Sequence, residues 1–436
     1  MKIHGGIMTK SALYVCYFGI REPLVQSQVL AYVRKLAEAG WNMHLLTFEP
    51  GWPAEFPEAE QIAWREALAR EGITWHAHPY TKSHGLAAKA RDILTGLIKT
   101  RRIARENKVN IIHGRAHVAT TIAMLSTMFL RPKPGILFDI RGFNPEEYVD
   151  AGRWKPGSLK FRLLKMTERW LLRRSSGFVV LTEAGRKIMF PKAVPDTGPE
   201  AWRLPDGRPV QVIPCCVDMA RFETANEVSR EAAKAAQNLS GRSVIAYVGA
   251  LGGWYLDDEM ARIWTVARRM NPASFALIFT QSPPAGIQAL LLAAGAADGK
   301  DFHIQKVPPA ELAARLPAAE LALSIIKPSF SKIASSPTKL AEYLAAGCVV
   351  ISSSGIGDGD AQLTANRVGV ILEDFDDAAI ETALKEAFAL AAEPDIADRC
   401  RRTARDLFDL NGVGGPRYVR MYERVLGLAA KSSRES

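Results

Sequence analysis

Cysteine is scarce in this chain, and long apolar runs are missing. The five cysteines, Cys16, Cys215, Cys216, Cys348 and Cys400, follow neither metal-ligand spacing nor a disulfide framework. Reduced thiols in a cytoplasmic protein are the expectation, with the Cys215-Cys216 pair serving packing. The longest mostly apolar stretch, residues 118–130, holds 13 residues and is interrupted by Thr120, Thr121, Ser126 and Thr127. A membrane-spanning helix needs about 20, so no span is expected. The opening MKIHGGIMTK lacks the apolar centre of a signal peptide. No cluster of His, Cys and carboxylate residues suggests a structural metal. What is present describes a folded chain. Its 436 residues are 48% hydrophobic and 23% charged, which excludes a disordered or fibrous protein. That length suits two domains of roughly 200 residues each.

Charge is unevenly distributed. Residues 1–210 carry 32 Lys and Arg against 19 Asp and Glu, whereas the remainder carries 24 against 27. A basic front half points to an anionic partner. Two segments concentrate the charge. Residues 89–108 hold Lys89, Arg91, Lys99, Arg101, Arg102, Arg105 and Lys108. Residues 153–174 hold eight cations interleaved with Trp154, Phe161 and Trp170. Basic helices with aromatic residues suit an anionic membrane surface, the alternative being a solvated helix face. Nucleic-acid binding is not expected, because no reading motif accompanies the charge.

Apolar runs predict one series of buried strands at residues 13–18, 41–48, 111–112, 135–140, 178–181 and 210–214. A second series falls at 244–248, 275–280, 302–305, 321–326, 349–352 and 368–372. Helical spacing separates them, as in 29–39, 260–270 and 340–346. Such alternation predicts parallel sheets covered on both faces. Two series predict two doubly wound α/β domains, Rossmann-like, facing a central cleft. The first is expected over residues 1–220 and the second over 221–410, with a helix at 411–430 crossing back. The polar, Ala-rich residues 218–242 form the join. Residues 191–209 read as a surface loop and 431–436 as a frayed tail.

Ligands of such sheets bind beyond the strands' carboxyl ends. The segment after the strand at 321–326 contains Ser335-Ser336-Pro337-Thr338-Lys339 and continues to Glu342 and Gly347. Ser336 suits an N-cap, Pro337 a first helical position and Gly347 a stop. The open amides of that helix would receive phosphate. Ser335, Ser336 and Thr338 supply hydroxyls, Lys327, Lys332 and Lys339 supply charge, and Glu342 lies one turn further in. A well-capped helix with solvated lysines is the bland reading. In the first domain, Gly19 and Ser27 follow the first strand. Arg115 and His117 follow the strand at 111–112, and Asp139 and Arg141 end another. A lone histidine such as His117 is more often structural than functional. Asp358-Gly359-Asp360 reads as a loop rather than a metal triplet.

SSPTKLAEYLAAGCVVI resembles the donor-binding segment of retaining GT-B glycosyltransferases of family 4. VIPCCVDMARF (residues 212–222), VIAYVGALGG (244–253) and FVVLTEAGRKIM (178–189) extend the resemblance along almost the whole chain. Glu342 matches the second of two family glutamates, the one on the donor ribose; Ala334 stands at the first. The family's Arg and Lys after the glycine loop are missing from Gly249–Asp258, and Arg141 stands where many members have a histidine on the transferred sugar.

The resemblance implies a hexosyl- or related transferase. It would move a sugar, with retention, from a nucleotide-diphosphate sugar to a hydroxyl of a glycan or lipid-linked glycan in bacterial surface-polysaccharide synthesis. Donor binding is expected from Gly252, Gly253, Val307, Lys327, Lys332, Ser335, Ser336, Thr338, Lys339 and Glu342. Gly19, Arg115, Asp139 and Arg141 are expected on the acceptor side, and Arg141, His117 and Lys332 in catalysis. No metal or other cofactor is expected. The protein is expected in the cytoplasm, peripheral at the inner face of the plasma membrane. A non-catalytic subunit that binds nucleotide sugars is the rival reading.

Overall fold

The computed structural model describes residues 10–81, 86–226 and 228–432. The opening segment before Lys10 and the tail beyond Ser432 lie outside them. Two separate sheets organise the chain. The first contains β1 (Ser11–Cys16), β2 (Asn42–Pro50), β3 (Ile73–Tyr80), β4 (Ile111–Arg115), β5 (Gly135–Asp139), β6 (Gly177–Val180), β7 (Val194–Pro195), β8 (Ala201–Arg203) and β9 (Pro209–Val212). Their order is β3-β2-β1-β4-β5-β6-β9-β8-β7. The second contains β10 (Ser243–Val248), β11 (Ser274–Phe279), β12 (Phe302–Gln305), β13 (Leu321–Ser324), β14 (Val349–Ser353) and β15 (Gly369–Leu372), in the order β12-β11-β10-β13-β14-β15. Its six strands are parallel, with Ser243 opposite Ser274 and Leu321 opposite Val349. Both sheets thus have the 3-2-1-4-5-6 order of doubly wound nucleotide-binding folds, the first with extra strands at one edge.

Two features depart from the sequence expectations. β3 was not expected, because Thr74, His76 and His78 interrupt its apolar residues. As an edge strand it shows alternation, with Ile73, Trp75 and Ala77 buried and Thr74 exposed, instead of a continuous apolar run. The expected loop at 191–209 contains β7 and β8, antiparallel additions beside β9.

The helices Leu86–Glu106, Ala116–Ser126 and Leu159–Arg174 share a core with one face of the first sheet. The helix Ala31–Glu38 and the last helix, Gly415–Ser432, cover the other. The last helix buries Tyr418, Met421, Tyr422 and Val425, a helical i, i+3, i+4, i+7 stripe. Its approach requires small residues beneath it: a Cβ at Gly177 would lie 2.5 Å from the Met421 methyl. The chain returns to the first half beside its outgoing path. There the Val217 amide donates to the Phe408 carbonyl and the Leu410 amide to the Val217 carbonyl, both at 2.9 Å. No helix among the described residues is long and apolar enough to cross a membrane.

Candidate active site

The helix Thr338–Ala345 follows β13. It buries Leu340, Ala341, Tyr343, Leu344 and Ala345 and stops at Gly347, which adopts φ +78°. Tyr343 fixes its position by donating from its hydroxyl to the Leu323 carbonyl (3.0 Å) and accepting from the Val248 amide (2.8 Å). The helix is thereby tied to both β13 and β10. Its N-cap is Pro337, and no side chain caps it. Ser336 does not cap as expected; its hydroxyl accepts from the Cys215 amide at 3.1 Å, across the two halves. The helix N-terminus therefore keeps its positive end uncapped by any side chain.

Lys339 lies at this N-terminus. Its side chain is buried, and its ammonium has no hydrogen-bond partner. The nitrogen sits 4.2 Å from the ring centroids of both Tyr247 and Tyr255. Burial pulls its pKa down to about 7, with Glu342 opposing the fall. Above it runs the loop that follows β10. Gly249 adopts φ +138°, and a Cβ there would come within 2.9 Å of the Lys339 nitrogen. Gly252 and Gly253 also have positive φ, with open space where a Cβ would stand. The loop has neither the Arg nor the Lys of the family pattern. Aromatic residues of β10 and this loop instead hold cations from other segments: Lys339 lies against Tyr247 and Tyr255, and Lys332 lies 3.9 Å from the Trp254 ring centroid.

The remaining donor-side residues divide. Lys332 is largely buried and pairs with Glu147 of the first half at 3.4 Å, so in this conformation it is committed across the interface. Lys327 is exposed, Ser335 is half-buried, and Thr338 and Glu342 line a cavity of about 280 Å³ with Gln26, Ser27, Arg34 and Arg221. Burial raises the Glu342 pKa, while Arg221 and Lys339 act against it. Val307 corrects the expectation: its side chain belongs to the core of the second half, and its carbonyl accepts from Gln281 at 3.0 Å. Next to it is a feature the sequence did not reveal. Gln281, Ser282, Pro283, Pro284, Gln305 and Lys306 line a cavity of about 370 Å³ beyond β11 and β12. The Ser282 hydroxyl accepts from the Leu251 amide (3.1 Å), joining this cavity to the glycine loop. Pro283-Pro284 after an apolar strand was the available signal.

The acceptor-side residues converge differently. Arg115, Asp139 and Arg141 do come together, as a buried ion cluster. Asp139 lies 3.5 Å from Arg141, 3.6 Å from Arg115 and 3.4 Å from His113. Burial pushes its carboxyl up, but Arg141, His113 and Arg115 outweigh this and hold it far below the usual range. Arg141 also donates to the Cys215 sulfur at 3.2 Å. Gly19 has a packing reason to be small, since a Cβ there would lie 2.7 Å from the Glu49 carboxylate. That carboxylate accepts from the Ile20 amide at 2.9 Å. His117 corrects a catalytic expectation. Its ring is buried, with Nε2 3.0 Å from Glu168 and its plane nearly perpendicular to the Phe138 ring, 5.2 Å between centroids. It serves packing between the helices Ala116–Ser126 and Leu159–Arg174.

The two halves meet close to these residues. The Thr182 hydroxyl donates to the Ile333 carbonyl (2.9 Å), and the Ser331 amide donates to Asp150 (2.8 Å). Asp358-Gly359-Asp360 is not a loop throughout: Gly359 and Asp360 open the helix Gly359–Asn366, and Asp358, just before it, accepts from the Glu183 and Ala184 amides at 2.7 and 3.0 Å. Gly185 packs against Ala334: a Cβ on Gly185 would lie 3.2 Å from that of Ala334. This contact leaves little room for the glutamate that the family carries at position 334.

Among solved structures, a sucrose-phosphate synthase from Thermosynechococcus elongatus superposes with a TM-score of 0.68 at 13% identity, covering 96% of this chain and all of that one. The fold is GT-B. Anabaena HepE, solved in complex with UDP and glucose, gives 0.64 at 10% identity over 97% of this chain and 100% of its own. WaaG, a glycosyltransferase involved in lipopolysaccharide biosynthesis, gives 0.60 at 16% identity over 96% and 99%. Residues 25–221 match the model of Glycosyltransferase Family 4, placing the family signal in the first half of this GT-B chain. No curated protein matches the sequence.

Proposed function

We propose that this GT-B protein transfers a sugar, with retention, from a nucleotide-diphosphate sugar to a hydroxyl of a glycan or lipid-linked glycan. The observation that carries the reading is the unpartnered Lys339 ammonium, buried between an uncapped helix N-terminus and a glycine loop. A bare diphosphate requires cations and amide donors together. Lys339 supplies the charge that the loop lacks, without a metal ion. Glu342 accepts from the ribose hydroxyls, and the cavity at Gln281–Lys306 takes the base. Support comes from the family match and from a neighbour of the same fold solved with UDP and glucose. The likeness to WaaG supports a place in bacterial surface-polysaccharide synthesis, at the cytoplasmic face of the plasma membrane.

In the transfer, the bond from the anomeric carbon to the phosphate oxygen breaks. A bond to the acceptor oxygen forms on the same face. The acceptor proton passes to the departing phosphate, so no carboxylate dyad is required. The chain's contribution is positioning and stabilisation of the departing diphosphate. A non-catalytic nucleotide-sugar-binding subunit is the second reading. It is favoured by Ala334 at the first glutamate position and by the inward His117.

The test is calorimetric titration of the purified chain with nucleoside diphosphates and free nucleosides, followed by turnover with a lipid-phosphate acceptor. Diphosphates should bind at least about tenfold more tightly, and the product should keep the donor's anomeric configuration. Equal affinity for both ligands would refute the donor site. Tight donor binding without any turnover would favour the subunit reading.

A further inference from the structure

Arg141 stands between two contacts that join the halves. Cys215, whose amide donates to the Ser336 hydroxyl at 3.1 Å, accepts from the Arg141 guanidinium through its sulfur at 3.2 Å. Just beyond Arg141, the Phe143 ring stacks on Phe330 of the second half, 5.3 Å between centroids. The guanidinium is thus held where the halves face each other, adjacent through Cys215 to the segment that opens the helix Thr338–Ala345. Its side chain keeps 12% of its surface exposed, whereas Asp139 behind it is sealed.

Its charge is poorly matched. Arg115 and Arg141 share Asp139, at 3.6 and 3.5 Å, and among the described residues no other carboxylate lies within 4 Å of either guanidinium. Charge-assisted hydrogen bonds run at about 2.7–2.9 Å, so neither arginine is tightly paired. Arg115 keeps its Nη1 buried without a hydrogen-bond partner. Arg141 spends its donors on the long contact to Asp139 and on a sulfur, a weak acceptor. The other groups on Asp139, His113 and Tyr14, are neutral: burial lowers the His113 pKa and raises that of Tyr14. Two positive charges therefore meet one negative charge. A buried excess of this kind is costly until an anion completes it.

The place of the opening indicates which anion. In the donor reading, the diphosphate lies at the N-terminus of the helix Thr338–Ala345, against Lys339. The sugar hangs from the distal phosphate, and the wall it meets in the first half is the one that Ser336 touches through Cys215. A neutral hydroxyl there would leave the surplus charge unmet. A carboxylate matches both the charge and the planar fork of a guanidinium.

We propose that Arg141 recognises a carboxylate on the transferred sugar, so that the donor is a nucleotide-diphosphate hexuronic acid, with Arg115 and Asp139 positioning the guanidinium. The assignment rests on the donor reading of the helix Thr338–Ala345 and names the sugar class that this reading leaves open.

The experiment is calorimetric titration of the full chain. UDP, GDP, dTDP and ADP are titrated first, to find the base that binds. Sugar conjugates of that base follow, with gluco-, galacto- and manno-hexuronates each set against the neutral hexose of the same configuration. Wild type should bind at least one hexuronate conjugate roughly tenfold or more tightly than its neutral counterpart, the effect of one charge-assisted hydrogen bond. R141Q should erase that preference while binding the bare diphosphate within about twofold of wild type. R141K, which keeps the charge but loses the fork, should restore part of it. If no diphosphate binds, the donor reading fails and the sugar assignment falls with it. If diphosphates bind but every neutral conjugate binds as tightly as its hexuronate, the donor reading stands and the carboxylate assignment is overturned; an arginine serving an anionic acceptor would give this result. The assignment is equally overturned if R141Q weakens the bare diphosphate as much as the hexuronate, since Arg141 would then hold phosphate. The wild-type comparison decides the matter even if R141Q does not fold.

Discussion

Replacing Lys339 with Met should make the ligand-free protein more stable while removing its grip on a diphosphate. The side chain is buried, and burial lowers its pKa from 10.5 to about 7. The sign follows from proton counting. Between those two values the unfolded chain holds a proton that the folded protein does not, so stability rises with pH across that window. The cost of the buried amine is then greatest at and below neutral pH, where it reaches about 4 kcal/mol. Methionine has a similar length, packs between Tyr247 and Tyr255, and carries no such cost. Relaxation around the site would reduce the gain, so K339M is expected to raise the unfolding free energy by about 2 to 4 kcal/mol at pH 7. Urea titration of wild type and variant at pH 7 and pH 9 measures this, and the difference should shrink at the higher pH. The same substitution removes a charge-assisted contact worth about 1.5 to 3 kcal/mol, so affinity for a nucleoside diphosphate should fall roughly 10- to 100-fold. Affinity for the free nucleoside should change little. In wild type the diphosphate should bind progressively more weakly as pH rises above about 7, because the ligand needs the protonated amine. A variant that is less stable than wild type, yet binds the diphosphate equally well, would show that Lys339 is a structural residue.

Two further outcomes test the site assignments. E342A should weaken a ribonucleotide diphosphate roughly tenfold and its 2′,3′-dideoxy counterpart hardly at all, by calorimetry, since the lost contact is to ribose hydroxyls. H117A should lower the unfolding free energy by about 2 to 3 kcal/mol, because Glu168 loses a buried partner. Its kcat/KM for transfer, measured well below the unfolding temperature, should stay within about threefold of wild type. A large loss of kcat would return His117 to the reaction.

The layered architecture was legible in the hydrophobic pattern alone. Continuous apolar strands alternating with helical spacing can be buried only as parallel sheets covered on both faces, and each strand of the second sheet coincides with an apolar run. The sequence also located the helix after β13, because Pro337 and Gly347 act through local backbone geometry. Edge strands were less legible. β3 needs only one apolar face, and β7 and β8 exist only because β9 offers them an edge.

Side-chain roles were decided by tertiary structure. Lys332 and Lys339 look alike in sequence. One finds Glu147 across the interface, while the other is sealed beneath Gly249 without a partner. Arg115, Asp139 and Arg141 read as three separate strand-end residues, and become one ion cluster only when β4 and β5 pair. The spacing in the helix Leu159–Arg174 showed that it was basic and amphipathic. Which apolar residues face outward depended on where the sheet lies. Glu168 and Leu171 turned to the core, and Leu159, Leu163 and Met166 were left outside. Local signals depend on neighbours along the chain, whereas burial, pairing and charge at a site depend on neighbours brought from more than a hundred residues away, as Glu147 is to Lys332.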